Sequence, residues 1–445
     1  MSTIRTVENV QPVSRRSVSK ASASSRRVSQ ITAPSDTALL PIAGWLIVVI
    51  SAVFAVLKVA PGVHGDDWSS LYIGGMLAGQ GNWTEAYSVH PDDFSRTGSM
   101  VWEQFRKEHT TVNFAHPFVH NPGVALFMAG LSRVLTFTQS IQLLTFVSGA
   151  CAVMIPAAAY KFWTSKTIPV LYLIPLTVFV WITEPFNMSL QLGQTTPLIL
   201  TACMIALAVS KDKPLVAAVL LSLATFVKLT PVVLIAGLAL IPTTRKAGVY
   251  AAGLTFAWFA PLIALFHEPF TIWISSLKRH GTAFLVSPIN ASIGSVIYAP
   301  LRENEGVAIV DDVPSFPVTL AMGIVVAVAG GVFLNRWRKG REFPVESFLA
   351  LCLLGPMCVA GILWIHYSVA LVFPLVGLFI WGFGRKDWIL VAVSVVGSVV
   401  LVVPFDFGYV AAWNPVTLAH LGLWVIVVVA VASLGCAERD NFGRF

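Results

Sequence analysis

The stretch LLPIAGWLIVVISAVFAVLKVA, residues 39–60, is almost entirely apolar and decides the class of fold. A helix needs roughly 17–25 apolar residues to span the hydrocarbon core of a bilayer. Only helices and closed barrels satisfy their own backbone in lipid, and the strict alternation of a barrel strand is absent. The sequence therefore predicts an all-α polytopic membrane protein. Further apolar segments lie at 121–137, 140–160, 168–183, 194–209, 214–227, 229–242, 247–266, 317–335, 345–363, 367–382, 387–404 and 417–435.

The composition of the whole chain agrees with a membrane protein and excludes other classes. Hydrophobic residues make up 56% and charged residues 11% of the 445 positions, whereas soluble domains carry about 25% charged residues. The net charge is +7, but the basic residues of 1–36 have no folded or aromatic platform for nucleic acid. We expect a disordered cytoplasmic tail at 1–37, a transmembrane domain at 38–436 and a short cytoplasmic tail at 437–445.

Lysine and arginine clusters predict the orientation, because cytoplasmic loops are enriched in both. The basic N-terminus and the clusters at 210–213, 244–246, 335–341 and 384–386 are assigned to the inside. With both termini inside, the number of crossings is even, so one of the thirteen apolar segments does not cross. The sequence predicts about twelve transmembrane helices, one segment among 121–209 that fails to cross, and a broken or re-entrant helix near 168–193.

The first outer loop, residues 61–120, carries most of the chemistry. It contains seven acids and five of the nine histidines, interleaved with tryptophans and tyrosines. Helices are predicted at 67–79 and at 91–108, where Pro91 is suited to a helix start. We expect these helices to lie at the membrane interface.

Lys228 separates two apolar arms of about 14 residues. Such arms rise only about 21 Å, less than the roughly 30 Å of the hydrocarbon core. The lysine is therefore predicted below the outer surface, facing a cavity. An intramembrane lysine is a functional candidate, and the alternative is a lysine that snorkels to the interface.

Acids of the first loop face cationic side chains predicted on the same side of the membrane. A carboxylate there could accept a proton from an attacking hydroxyl as a general base. Cations could stabilise a departing lipid phosphate. The candidate cations are Lys228, Lys278, Arg279, His280, Arg302 and His366.

Six motifs follow one another along about residues 40–400. They are DWSSLYIGGMLAGQGNWTEAY (67–87), HNPGVALFMAGL (120–131), QLGQTTPLIL (191–200), FVKLTPVVLI (226–235), INASIGSVI (289–297) and WIHYSVALVFPL (364–375). In this order they resemble glycosyltransferase family 87, whose members have the GT-C fold and use polyprenyl-phosphate sugars in actinobacterial cell envelopes. The chain departs from the family pattern at Asn121-Pro122-Gly123, where family members often have two or three prolines, and it doubles the first acid.

The resemblance implies roles for particular residues. The acid before the aromatic residue is the catalytic base, which corresponds to Asp67, although the adjacent Asp66 competes for that role. His366 and Lys228 correspond to contacts with the donor phosphate. Substrate contacts are also expected from Arg279, His280, Asn290, Tyr72 and Gln194.

Other interpretations of single residues remain open. His366 could be a hydrogen-bonded packing residue between Trp364 and Tyr367. Asn290 could orient a loop, contact sugar hydroxyls or cap a helix. His116 and His120 are four residues apart, but Pro117 interrupts helical spacing, which disfavours a metal site. No metal or nucleotide cofactor is expected.

The sequence and the resemblance together predict an inverting glycosyltransferase of the plasma membrane, with its active site on the extracytoplasmic side. It would transfer a sugar, most often mannose in this family, from a polyprenyl-phosphate donor to a cell-envelope glycolipid or polysaccharide. A polyprenyl-phosphate-arabinose donor is the alternative. Two other classes are a transporter of lipid-linked sugars and a non-catalytic scaffold. The transporter is disfavoured because no inverted repeat is visible.

Overall fold

The computed structural model describes residues 38–90, 96–114, 116–280, 284–302, 307–310, 313–339, 343–405 and 414–434. At 278–280 and 302 the described part is the backbone alone. The predicted tails at 1–37 and 437–445 lie outside the described residues. The described residues belong to one compact unit.

Helices account for 77% of the described chain. In its first half they are α1 Ile42–Phe54, α2 Asp66–Gly79, α3 Trp83–Ala86, α4 Met100–His109, α5 Pro122–Val134, α6 Phe137–Thr164, α7 Val170–Ile182, α8 Glu184–Gln191 and α9 Thr196–Val209. In its second half they are α10 Pro214–Val227, α11 Val232–Leu240, α12 Arg245–Leu265, α13 His267–His280, α14 Ile293–Tyr298, α15 Phe316–Lys339, α16 Val345–Cys358, α17 Val372–Arg385, α18 Trp388–Val402 and α19 Pro415–Ser433. Short 3₁₀ or π segments are Ala55–Val59, Ala60–Gly62, Ala299–Arg302 and Ile365–Leu371.

Several of these helices are suited to crossing a membrane, as the apolar runs predicted. Within the described residues, six helical segments are long and apolar enough to span a bilayer, and a bent pair brings the number to seven. Five shorter apolar helices accompany them. The six are Ile42–Gly62, Phe137–Thr164, Arg245–Leu265, Phe316–Lys339, Ile365–Arg385 and Pro415–Ser433.

The bent pair lies where the sequence predicted a broken helix. α7 and α8 meet at an angle of 60°. Thr183 between them has extended backbone, with φ −72° and ψ 134°. Pro185, near the start of α8, lacks the N–H that would continue the hydrogen-bond ladder of α7. Local chemistry therefore accounts for the break.

The first loop folds into a layer with its own apolar core, which includes buried Trp102, Phe118 and Leu77. The helix predicted at 67–79 is confirmed, with α2 beginning one residue earlier. The helix predicted at 91–108 is wrong at its start within the described residues. There α4 begins at Met100 because the Ser99 hydroxyl accepts hydrogen bonds from the next backbone N–H groups, which is a typical helix cap.

Glycines on one face of α2 bring α5 close to it. A Cβ at Gly75 would lie 2.7 Å from the Met128 carbonyl carbon, and one at Gly79 would lie 3.0 Å from the Ala129 Cβ. Near the other end of the pair, the Tyr72 hydroxyl donates to the Leu135 carbonyl at 2.9 Å. α5 therefore runs along the first-loop layer over its length.

Two short strands depart from the all-α prediction. β1 Phe284–Val286 and β2 Ala308–Val310 pair antiparallel, with Leu285 opposite Ile309. Both are rich in aromatic or β-branched residues, which favour strands. They lie in the segment between α13 and α15 that the sequence assigned to the outer side.

Candidate functional site

Asp66 and Asp67 form the first turn of α2, at the point where the first loop meets the segment QLGQTT, residues 191–196. The backbone N–H of Gly65 donates to the Gln191 carbonyl, and that of Asp67 donates to the Leu192 carbonyl, both at 2.9 Å. These two bonds fix the Asp67 backbone to a chain segment far from it in sequence.

Two glycines permit this close approach. Gly65 and Gly193 have positive φ, +76° and +68°, a region that glycine enters without steric cost. A Cβ at Gly193 would lie 2.8 Å from the Trp68 Cβ and 3.1 Å from the Gly65 Cα. The glycine of the Gly-Gln element therefore brings Gln194 to the start of α2.

The Asp67 carboxylate has two polar neighbours. The Gln194 side-chain amide donates a hydrogen bond to Oδ2, and His116 Nε2 lies 3.6 Å from Oδ1. The side chain is 23% exposed, so it is accessible while held in one orientation. A carboxylate that is accessible and oriented in this way could serve as a general base, and that role remains a prediction.

Asp66, the competing acid, has a different environment. Burial raises the pKa of its carboxyl, the Asp67 charge raises it further, and His116 and His64 oppose both effects. Its backbone carbonyl accepts a hydrogen bond from the Ser69 hydroxyl at 2.6 Å. Adjacent acids in unequal environments are a common basis for unequal roles.

Lys228 follows the last residue of α10 and faces two hydroxyl groups and an aromatic ring. Its Nζ donates to Thr196 Oγ1 at 3.3 Å and to the Tyr367 hydroxyl at 3.4 Å. It also lies 4.7 Å from the centre of the Tyr367 ring, within range of a cation–π interaction. The lysine lines a cavity, as its place between two short arms predicted.

Hydrogen bonds connect the lysine with the carboxylate. Thr196 Oγ1 lies 3.4 Å from Gln194 Oε1, and the Gln194 amide donates to Asp67. Asp67, Gln194, Thr196 and Lys228 therefore form one continuous chain of polar contacts, from the first loop to the tip of the α10–α11 hairpin. Three of the motifs that resemble glycosyltransferase family 87 meet along it.

The end of the first loop is hydrogen-bonded to the α10–α11 hairpin. His120 Nδ1 lies 2.9 Å from the Val227 carbonyl, and the Asn121 amide donates to the Phe226 carbonyl. Asn121 also caps α5 through its side-chain oxygen. Burial lowers the pKa of His120 to about 4, and the nearby positive charge of Lys228 contributes to the decrease. The ring is therefore neutral near pH 7 and donates through Nδ1.

His366 is in the 3₁₀ segment Ile365–Leu371 and is 1% exposed. Its ring centre lies 4.7 Å from that of Tyr367, the residue that Lys228 contacts. Both ring nitrogens are buried, and no described residue forms a hydrogen bond with either of them. The contact with a donor phosphate remains a prediction.

Asn290 is fully buried beside the same segment. Its amide donates to the Leu285 carbonyl at 2.7 Å, and its oxygen accepts from the Ser292 and Leu363 N–H groups. These bonds correspond to the loop-orienting interpretation, because they hold the strand-like pairing of Asn290 with Trp364. A contact with sugar hydroxyls remains a prediction.

Three further residues were predicted to contact the substrate. Tyr72 is buried on α2, with its hydroxyl bound to the Leu135 carbonyl. Arg279 and His280 end α13, and their side chains lie outside the described part of the chain. The roles of all three in substrate binding remain predictions.

Three residues in or beside the polar chain are not predicted from the sequence as part of the site. Thr196 and Tyr367 lie inside the motifs without a predicted role, and His116 is considered only as a metal ligand. Among the described residues, no three His, Cys, Asp or Glu side chains are arranged to hold a metal ion. The spacing Gln-x-Thr and the pair His-Tyr are the signals that could have indicated Thr196 and Tyr367.

Comparison with known proteins supports the resemblance. The sequence profile of glycosyltransferase family 87 matches residues 118–361, which is more than half of the 445-residue chain. The matched range contains Gln194, Lys228 and Asn290. Searches of curated proteins and of solved structures gave no match. On the extent of the profile match, the chain belongs to glycosyltransferase family 87.

Proposed function

We propose that the protein transfers a sugar from a polyprenyl-phosphate donor to a cell-envelope glycolipid or polysaccharide, with inversion at the sugar carbon. Mannose is the favoured sugar and arabinofuranose the alternative, both from the family resemblance. The observation that carries the proposal is the polar chain from Asp67 through Gln194 and Thr196 to Lys228. A base and an anion-binding cation at its two ends are the parts that this reaction needs.

In the proposed reaction, the acceptor hydroxyl loses its proton to the Asp67 carboxylate and its oxygen attacks the sugar carbon. The bond from that carbon to the phosphate oxygen breaks on the opposite face, and its electron pair leaves with the prenyl phosphate. Lys228 stabilises the additional negative charge, and His366 is proposed to contact the same phosphate. Positioned bases contribute roughly 10²–10⁴-fold to such rates, and placed cations contribute through electrostatics.

Asp67 is the proposed base in preference to Asp66. Its carboxylate is aligned by Gln194 and lies beside His116. Among the described residues, no side chain holds the Asp66 carboxylate by a hydrogen bond in the same way. Asp66 is therefore proposed to shape the site without acting as the base.

The proposed topology places this site on the outer side of the plasma membrane. Because α5 runs along the first-loop layer, it is the proposed segment that does not cross. Twelve crossings then remain: α1, α6, the α7–α8 pair, α9, α10, α11, α12, α15, α16, α17, α18 and α19. Both termini are then inside, as the basic clusters require.

The test is a transfer assay with purified full-length protein in lipid nanodiscs. Polyprenyl-phosphate mannose and polyprenyl-phosphate arabinose are supplied separately, each with a membrane extract as acceptor. The proposal predicts turnover of one donor with release of polyprenyl phosphate. A parallel assay uses the same protein in closed lipid vesicles. Movement of intact donor across the vesicle membrane, with no release of polyprenyl phosphate, would instead identify a transporter.

A further inference from the structure

A cavity of about 170 Å³ lies beneath Lys228, between α9, α11 and α16. Polar groups of Thr196, Lys228, Thr230 and Tyr367 surround one end. The deeper walls are apolar or thiol side chains, namely Ile199, Leu200, Cys203, Leu234, Cys352, Leu353 and Met357. The cavity is therefore continuous with the cationic end of the polar chain.

The depth of the cavity follows from its walls. On α9 the lining extends from Thr196 to Cys203, which is about 10 Å at 1.5 Å per residue. Below, α11 and α16 are in close contact, because a Cβ at Gly237 would lie 2.6 Å from Cys352 Sγ. The cavity is therefore a narrow and mostly apolar space that extends away from Lys228.

Its polarity defines the ligand. All of its lining residues are described, and Lys228 is the one charged residue among them. A polar ligand buried against the apolar walls would lose hydrogen bonds to water without replacement, and a purely apolar one would leave the ammonium without an anion. The matching ligand carries its negative charge at one end and an apolar chain directly behind it.

We propose that this cavity binds the isoprene unit next to the phosphate of a polyprenyl phosphate, with the phosphate itself at Lys228 and Tyr367. This inference rests on the proposed function. An apolar cavity of roughly 150 Å³ takes up one benzene molecule, so the space is of the size of a five-carbon unit. The exposed apolar residues Leu229, Val232 and Val233 flank the tip of the α10–α11 hairpin. The remaining isoprene units of the prenyl chain are proposed to continue past them into the membrane.

The first measurement uses a variant in which a larger side chain fills the cavity. In Cys203→Phe the ring occupies the space of the isoprene unit, and we expect the Kd for decaprenyl phosphate to rise at least tenfold. Met204→Phe is the matched control, because Met204 is the next residue of α9, is fully buried and does not line the cavity. Binding is measured with full-length protein in nanodiscs, without any transfer reaction.

The second measurement does not depend on a bulky substitution. A citronellyl phosphate that carries a diazirine on its first isoprene unit is photolysed with the unmodified protein. We expect cross-links within 199–203 or 353–357, and excess decaprenyl phosphate should suppress them.

Two results would overturn the inference, and they are distinguishable. If decaprenyl phosphate binds both phenylalanine variants equally and the cross-links lie elsewhere, the cavity assignment is wrong while the proposed function stands. If folded unmodified protein binds no decaprenyl phosphate and forms no suppressible cross-link, the proposed function fails together with the inference.

Discussion

At the scale of single residues, charge and hydrogen bonding separate the two aspartates that the sequence presents as equals. Asp67 accepts a hydrogen bond from Gln194 and has His116 beside it, while burial raises the pKa of Asp66. The sequence predicted that an acid here would face Lys228. It could not predict the connection, because Gln194 and Thr196 join the two charged residues only after α8 and α9 have folded against α2.

His120 gives a pH-dependent prediction. Its pKa is about 4 in the folded protein against 6.5 as the ordinary value, so the unfolded chain binds the proton more readily between these values. The stability that neutral His120 contributes is complete above about pH 6.5 and is lost as the pH falls through about 4. The midpoint of thermal unfolding should therefore fall over this range.

The variant His120→Asn isolates the contribution of this ring. The asparagine side chain can still donate a hydrogen bond to the Val227 carbonyl, but it takes up no proton between pH 4 and pH 7. We expect a smaller decrease in the unfolding midpoint between pH 7 and pH 4 than in the unmodified protein. Parallel curves for the two proteins would show that His120 titrates normally and does not bind the hairpin as described.

At the scale of elements, close helix contacts depend on glycine. α2 and α5 approach each other where Gly75 meets the backbone of Met128 and Ala129. Gly130, on α5, is exposed and a Cβ there would meet nothing within 4 Å. The same substitution at these two positions should therefore have opposite effects.

We expect Gly75→Ala to lower the free energy of unfolding by about 1–3 kcal/mol, which is typical of overpacking. Gly130→Ala should raise it by about 0.5–1 kcal/mol, because alanine is the better helix former. Both are measured by denaturant unfolding in detergent micelles. Equal stability of the two variants would contradict the close packing of α2 on α5.

The sequence predicted those elements whose signals are local. The start of α2, the α10 and α11 arms and the break near α8 follow from acids, prolines and apolar length. The predicted helix start at Pro91 differs from Met100, where α4 begins, because the Ser99 cap sets the first turn. The β1–β2 pair was missed because two three-residue strands, separated by a long loop, carry no periodic signal.

At the scale of the whole molecule, the direction of α6 decides the topology. Its first turn packs at Gly65, beside the aspartates, and the segment after its end bonds to Ala38 at the start of α1 through Thr167. The sequence alone leaves the proposed non-crossing segment undetermined, because α5 is itself an apolar helix. Packing against α2 is a tertiary feature that hydropathy does not report.

Labelling of single cysteines tests this orientation. Thr138→Cys, in the exposed first turn of α6, should react with a membrane-impermeant maleimide on intact cells. Lys166→Cys, exposed beyond the end of α6, should react only after permeabilisation. The reverse pattern would place the aspartates inside and contradict the proposed topology.

Asp67 is the proposed base of a sugar-transfer reaction, and a matched pair of variants distinguishes it from Asp66. Transfer of radiolabelled sugar from polyprenyl phosphate is measured for Asp67→Asn and Asp66→Asn, with donor binding as the control for folding. We predict that Asp67→Asn loses at least about 10²-fold in rate and retains donor binding, while Asp66→Asn loses less than about tenfold. Undiminished transfer by Asp67→Asn would contradict the account.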